Sequence, residues 1–362
     1  MTKIKKGEDL KKLSWVDFYK TPLDNKLKYF EKDGRIFDCL FSQQFHRNLL
    51  DNLFTIASKI RTIAKKKEGL DWLQTLLSHK RTMLYFVQPS TRTFVSFQSA
   101  CYILGMKVSE IRSTSTSSEL KGESAEDTIR TFSSYADMII MRHFEEGMAE
   151  KASWMLNKTN RPIRVINGGS GKDQHPTQAL LDLYTLNWAF NDKGGIDNKT
   201  ILMAGDLRRG RTVRSLTYLL KNYKNVKFIY VSPEYLRITD DIRKFLTKHK
   251  ISFKETDNLN LSLKNADAVY MTRIQDEYDI NNESKNIDYS NFHLKKEHLK
   301  LMKKNAIIMH PLPRRAEVSV EVDTDPRAMY WRQERNGMWI RAALIAYMFG
   351  VDKNIFDYEI EK

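Results

Sequence analysis

Cysteine is nearly absent from this chain of 362 residues: there are two, Cys39 and Cys101. They make neither a disulfide framework nor a metal-ligand spacing, which points to a reducing, cytoplasmic setting. The eight histidines show no ligand spacing with acids or thiols, so no metal is expected. No apolar run reaches the roughly 18 residues of a membrane span, and no hydrophobic signal core opens the chain. A soluble protein with no membrane partner is therefore expected. No repeat of fixed period is present. Helix-turn-helix, zinc-finger and aromatic-interleaved basic motifs are missing too. The net charge of +15 is accordingly assigned to lysines scattered over solvated faces (Lys65-Lys66-Lys67, Lys295-Lys296, Lys303-Lys304) rather than to a nucleic-acid surface. Such a charge remains compatible with small anionic substrates.

What is present is an alternation of buried strands and amphipathic helices. The 41% hydrophobic content suffices for two cores of ordinary size. Residues 1 to about 35 are Lys-rich without a sustained pattern and read as an extension. A helix is predicted over Gln43 to Ala64, with Phe45, Leu49, Leu53, Ile56 and Ile60 along one stripe. Strand-like runs follow at Arg81 to Val87, Lys107 to Ile111, Asp137 to Met141 and Ile163 to Ile166, with helices at Ser124 to Tyr135 and Thr177 to Ala189. After the turn Asn191 to Gly195 the alternation resumes, with strands at Thr200 to Ala204, Lys227 to Val231, Ala268 to Met271 and Ala306 to Met309. Helices are predicted over Arg211 to Asn222, Asp240 to His249 and Gly337 to Phe349. This is an α/β chain with two doubly wound parallel-sheet domains.

Open α/β sheets bind ligands beyond the carboxyl ends of their strands. The run Gln88-Pro89-Ser90-Thr91-Arg92-Thr93 places two hydroxyls, a guanidinium and free amides between a strand and a helix start, which favours a phosphate. An ordinary capped helix start is the competing reading. Further polar groups recur at later strand ends: Ser117 with Lys121, Arg142 with His143, Gln174 to Gln178, Asp206 to Arg211, Arg273 with Gln275, and His310 to Arg314. Each alone could be a surface or turn residue. Together they are rich in arginine and poor in carboxylates, which suits substrates carrying several negative charges. Gly168-Gly169-Ser170-Gly171-Lys172 hints at a nucleotide phosphate loop but fails, because Asp173 stands where Ser or Thr is required.

These motifs resemble the aspartate carbamoyltransferase catalytic-chain family. The match runs through Ser90-Thr91-Arg92-Thr93, Met141-Arg142-His143, His175-Pro176-Thr177-Gln178, Gly205-Asp206-Leu207 with Gly210-Arg211-Thr212-Val213, Met271-Thr272-Arg273-Ile274-Gln275 and His310-Pro311-Leu312-Pro313-Arg314, in consistent order over roughly residues 38 to 352. The resemblance implies the aspartate/ornithine carbamoyltransferase fold, with a carbamoyl-phosphate domain over 36–187 joined by a C-terminal helix at 336–362, and an aspartate domain over 188–335. It implies transfer of the carbamoyl group of carbamoyl phosphate to L-aspartate, an early step of pyrimidine biosynthesis, without a cofactor. Catalytic roles fall to Thr93, Arg142, His175 and Lys121. Carbamoyl phosphate would be held by Ser90, Thr91, Arg92, Thr93, Arg142, His175, Gln178, Ser117 and Lys121, and aspartate by Lys121, Arg211, Arg273, Gln275, Pro311 and Leu312.

Ornithine carbamoyltransferases share the phosphate and His-Pro-x-Gln motifs but typically carry His-Cys-Leu-Pro and Ser-Met-Gly, where this chain has His310-Pro311-Leu312-Pro313 and Thr272-Arg273-Ile274-Gln275. The family also implies a homotrimer in which the loop bearing Ser117 and Lys121 serves a neighbouring subunit's site. A regulatory chain is left open. The sequence departs from the family at Gln88, Phe94, Leu120, Arg208 and Arg209. A catalytically silent homologue is the alternative, since resemblance does not by itself establish activity.

Overall fold

In the computed structural model, residues 10–113, 122–171, 174–274 and 289–359 are described. The chain divides into two compact units: Met1–Thr177 with Met338–Lys362, and Gln178–Gly337. Two helices, Pro176–Phe190 and Tyr330–Phe349, run from one unit's residues into the other's.

The first unit is built on a four-stranded parallel sheet in the order Lys107–Ile111, Arg81–Phe86, Met138–Arg142, Arg164–Asn167. Met138–Arg142 is buried at every position, as expected of an inner parallel strand covered on both faces. The second unit carries a five-stranded parallel sheet in the order Ile307–Met309, Ala268–Met271, Thr200–Ala204, Lys227–Val231, Ser252–Thr256. Its core joins Leu202, Val231, Val269, Met271 and Ile308 to Leu263, Phe292 and Tyr330. The doubly wound α/β expectation is thus met in both units.

The differences from the sequence reading have local causes. The edge strand Ser252–Thr256 is missed because its residues are exposed or half-buried, leaving no apolar run. Tyr330–Phe349 begins before Gly337 and carries that glycine in its interior. Instead of one helix from Gln43, a short 3₁₀ turn at Ser42–Gln44 precedes the helix Arg47–Ile63, whose N-cap His46 accepts a hydrogen bond from the Leu49 amide.

The described part of the N-terminal stretch packs onto the first unit. Helix Trp15–Lys20 is capped by Ser14, whose Oγ accepts from the Asp17 amide at 3.2 Å. It buries Phe18 completely against the rings of Tyr29, Phe30 and Trp154. Lysines separate these aromatics in sequence and hide the pattern. Lys26 and Glu150, 4% and 7% exposed, form a buried ion pair that ties this stretch to helix Met148–Leu156. The buried Asp38 accepts from the Val165 amide at 2.7 Å and from Ser153 and Asn157 at 2.6 Å each. Cys39 then bridges Ile166 in parallel, extending the sheet by one residue. Among the described residues no helix is long and apolar enough to cross a membrane.

The ion pair gives a test. Lys26→Met strands a buried carboxylate and is expected to lower the unfolding free energy by about 3–5 kcal/mol, whereas Lys26→Met combined with Glu150→Met recovers most of that loss. Urea denaturation of the three proteins checks it; a single variant as stable as the parent contradicts the pairing.

Candidate active site

In the first sheet the chain builds outward from Arg81–Phe86 to Lys107–Ile111, then returns to place Met138–Arg142 on the other side. The order therefore reverses between Arg81–Phe86 and Met138–Arg142, and the crevice at their carboxyl ends is where such sheets bind ligands. Phe86 stands in register with Arg142, and the Gln88 amide donates to the Arg142 carbonyl at 3.1 Å. Ser90 then caps helix Thr91–Ile103 without a side-chain bond to it. The first-turn amides have no intrahelical acceptors and face this end of the sheet with the positive end of the helix dipole. Thr91 and Arg92 are exposed and Thr93 is buried, with Thr93 Oγ1 lying 3.5 Å from His175 Nε2.

Arg142 is 9% exposed, and its Nη1 donates to the Gly168 carbonyl at 3.2 Å. Above it, Gly169 adopts φ +101°, and a Cβ there would lie 2.8 Å from Arg142 Nη1 and 2.9 Å from His175 Cδ2. Both contacts are too short for a side chain, so only glycine lets the guanidinium and imidazole close on this turn. Asn167 holds the turn, its Oδ1 accepting from the amides of Gly169 at 2.8 Å and Ser170 at 2.9 Å. Ser170 Oγ accepts from the His143 amide. The glycine-rich segment that fails as a nucleotide loop is thus the seat of Arg142 and His175.

In the second sheet the order reverses between Thr200–Ala204 and Ala268–Met271. Asp206 to Arg211 follow the first strand and Arg273 the second. Gly205 has φ +112°, and a Cβ would lie 2.1 Å from the Thr272 carbonyl oxygen, so the two strand exits pack backbone to backbone. Asp206 Oδ1 accepts from the Arg209 amide at 3.0 Å, shaping the turn before helix Arg211–Leu220. Arg211 and Arg273 are half-buried, and Arg273 Nη1 donates to the Ile274 carbonyl.

The third exit, after Ile307–Met309, is fixed by His310. Its Nδ1 accepts from the Leu312 amide at 2.8 Å, so the ring proton sits on Nε2, which donates to Glu317 at 2.7 Å. Burial alone would raise the Glu317 carboxyl, but hydrogen bonds from His310 and the Arg315 amide hold it below its ordinary range. Leu312 takes a left-handed conformation, φ +46°. With the Leu312 amide engaged, the turn through the half-buried Pro311 and Leu312 offers carbonyl acceptors. Gln178, 6% exposed, donates from Nε2 to Asp182 at 3.0 Å. Burial pushes the Asp182 carboxyl up to about 7, against hydrogen bonds from Tyr270, Gln333 and Gln178 that favour its ionised form.

The structure therefore gathers Thr93, Arg142 and His175 in the first unit, beside the helix begun by Ser90, Thr91 and Arg92. Gln178, Arg211, Arg273, Pro311 and Leu312 stand at helix and strand ends in the second. Ser117, Lys121 and Gln275 lie outside the described residues. Asn167, Gly169 and Asp182 were not singled out for a role by the sequence, because their parts are played through packing and hydrogen bonds to other residues. Three departures have local explanations. Phe94 is buried edge-on against Phe86 with the Arg112 guanidinium over its ring at 4.5 Å, and Arg208 and Arg209 lie over the Tyr235 ring. Among the described residues no group of three or more His, Cys, Asp or Glu side chains is arranged to hold a metal.

Two family models match. Residues 38–187 match the aspartate/ornithine carbamoyltransferase carbamoyl-P binding domain, and residues 197–348 the Asp/Orn binding domain. A chloroplastic aspartate carbamoyltransferase of Arabidopsis thaliana is 42% identical over 326 residues, covering 88% of this chain and 78% of that protein. The catalytic subunit from Clostridium novyi (strain NT) is 42% identical over 303 residues, covering 84% and 94%. Aspartate transcarbamoylase of Trypanosoma cruzi, solved in complex with aspartate and phosphate, superimposes with a TM-score of 0.74 at 34% identity, covering 85% of this chain and 94% of that one.

The steric seat is testable directly. Gly169→Ala is expected to push Arg142 and His175 apart, visible as a displaced His175 ring resonance by NMR in a protein that keeps its fold. An unmoved resonance contradicts the seat.

Proposed function

We propose a reaction from a premise that the two family matches establish: the chain belongs to the aspartate/ornithine carbamoyltransferase family. It transfers the carbamoyl group of carbamoyl phosphate to the amine of L-aspartate, giving N-carbamoyl-L-aspartate and phosphate, an early step of pyrimidine biosynthesis. The observation that carries this reading is the seating of Arg142 and His175 beside the amino end of helix Thr91–Ile103, at the first sheet's reversal.

The roles follow from the chemistry of these groups. Ser90, Thr91, Arg92 and Thr93 hold the phosphate with hydroxyls, a guanidinium and helix amides. Arg142, His175 and Thr93 donate to the carbamoyl oxygen, on which charge grows as the amine attacks. A fixed donor of this kind contributes about 2.7–4 kcal/mol to transition-state stabilisation. Gln178 contacts the carbamoyl amino group. Arg211, Arg273 and Gln275 bind the aspartate carboxylates, while the carbonyls of Pro311 and Leu312 accept from amino groups. The amine attacks the carbamoyl carbon directly and the carbon–oxygen bond to phosphate breaks, so no covalent enzyme intermediate is needed, and the departing phosphate takes the amine proton. Guanidinium groups at Arg211 and Arg273 favour a dicarboxylate and repel the side-chain ammonium of ornithine.

The working unit in this reading is a homotrimer with shared sites, to which Ser117 and Lys121 come from a neighbouring copy. A cytoplasmic location fits the free, buried thiols of Cys39 and Cys101.

Two experiments bear on this. Incubated with carbamoyl phosphate and either L-aspartate or L-ornithine, the purified chain is expected to carbamoylate aspartate alone. Product with ornithine alone would refute the arginine reading, and product with neither would favour a silent homologue. Mixing two inactive variants, Arg142→Ala and Lys121→Ala, is expected to restore part of the activity through hybrid trimers. No recovery after subunit exchange would remove the shared site.

A further inference from the structure

The helix Pro176–Phe190 contains a carboxylate that the reaction does not use. Asp182 is fully buried one turn after Gln178. Its Oδ1 accepts from Gln178 Nε2 at 3.0 Å and from Gln333 Nε2 at 2.7 Å, and its Oδ2 from the Tyr270 hydroxyl at 2.8 Å. Gln333 in turn accepts at Oε1 from the His310 amide at 3.0 Å. All of these residues belong to the second unit, and Asp182, Tyr270, His310 and Gln333 are each fully buried.

In the ionised form that its three donors favour, the Asp182 carboxylate only accepts hydrogen bonds, so it dictates which end of each neighbouring amide faces it. Gln333 is fixed from both sides, with its amide nitrogen toward Asp182 and its oxygen toward the His310 amide. Reversing it would set one N–H against another. Gln178 is fixed by the same acceptor, which turns its oxygen away from Asp182. A carbamoyl group ends in an amino group, a donor, and the end of Gln178 left for it is an acceptor. Keeping an ionisable group in a dry helix core is costly, and an apolar residue would fill the space more cheaply. Orientation is what the carboxylate adds.

We propose that Asp182 is a positioning residue that sets the donor-acceptor polarity of Gln178 toward the carbamoyl group and, through Gln333 and His310, fixes the Pro311–Leu312 turn that receives aspartate. This rests on the roles given above to Gln178 and to that turn. One buried acceptor thereby serves the recognition of both substrates.

Steady-state kinetics on four variants, each confirmed as folded by circular dichroism, test it. At about 1.4 kcal/mol per decade, loss of an orienting hydrogen bond is expected to raise a KM by about tenfold. Asp182→Leu should do so for both carbamoyl phosphate and aspartate. Asp182→Asn, which retains an Oδ1 acceptor, should keep both within about threefold of the parent. Gln333→Met should raise KM for aspartate while leaving that for carbamoyl phosphate unchanged. Gln178→Leu should raise KM for carbamoyl phosphate. If Gln178→Leu does so but Asp182→Leu, folded, alters neither KM, the positioning role is overturned while the reading of Gln178 stands. If Gln178→Leu has no effect, that reading fails and this inference with it. Should Asp182→Leu not fold, Gln333→Met decides: equal changes in both KM values, or none, overturn the proposal.

Discussion

A guanidinium buried at the end of a parallel strand is expensive unless its position is fixed and its charge has a use. A hydrogen bond to the Gly168 carbonyl and the space that Gly169 leaves beside the guanidinium help Arg142 meet the first condition. The rest of the first unit supports that placement. Asn167 at the end of its strand clamps the turn, and Asn167 Nδ2 reaches the Leu40 and Gln174 carbonyls. Gln174 reaches back to the Ser42 amide and to Gln43. The segment beginning at Asp38 therefore lies along the edge of the sheet beside Arg164–Asn167 and braces Gln174, the residue before His175. In the proposed reaction the second condition is met by an anionic substrate whose carbonyl oxygen gains charge as the amine attacks.

The second unit solves the opposite problem. Beside the guanidinium groups of Arg211 and Arg273, the recognition groups proposed for it include neutral amides and backbone carbonyls, whose direction matters more than their charge. A buried acceptor, Asp182, and a single-tautomer histidine, His310, impose that direction on Gln178, Gln333 and the Leu312 amide. In each unit polar groups at strand ends are held by hydrogen bonds to neighbouring residues.

Much of this was legible in the sequence. Thr200–Ala204, Lys227–Val231 and Ala268–Met271 begin and end where the sequence reading put them, because inner parallel strands are read directly from short buried stretches bounded by polar turns. The strand-end polar groups could be found for the same reason. The exposed strand Ser252–Thr256 could not, since edge residues carry no burial pattern. The docking of Trp15–Lys20 was hidden because Lys20, Lys26 and Lys28 separate Phe18 from Tyr29 and Phe30 in the sequence. Gly169 looked like part of a defective phosphate loop because its function lies in a side chain it does not have. Asp182, in a helix without a motif, gave no hint that three donors converge on it, since two of them, Tyr270 and Gln333, lie 88 and 151 positions away along the chain.

The central claim is that Arg142, seated under Gly169, recognises the carbamoyl end of a substrate pair completed by aspartate. Calorimetric titration with N-(phosphonacetyl)-L-aspartate, the compound bound in another of the Trypanosoma cruzi structures, tests it most directly. The expected result is saturable binding to the parent chain that is lost in a folded Arg142→Ala variant; equal binding by both proteins, or none by the folded parent, would contradict the account.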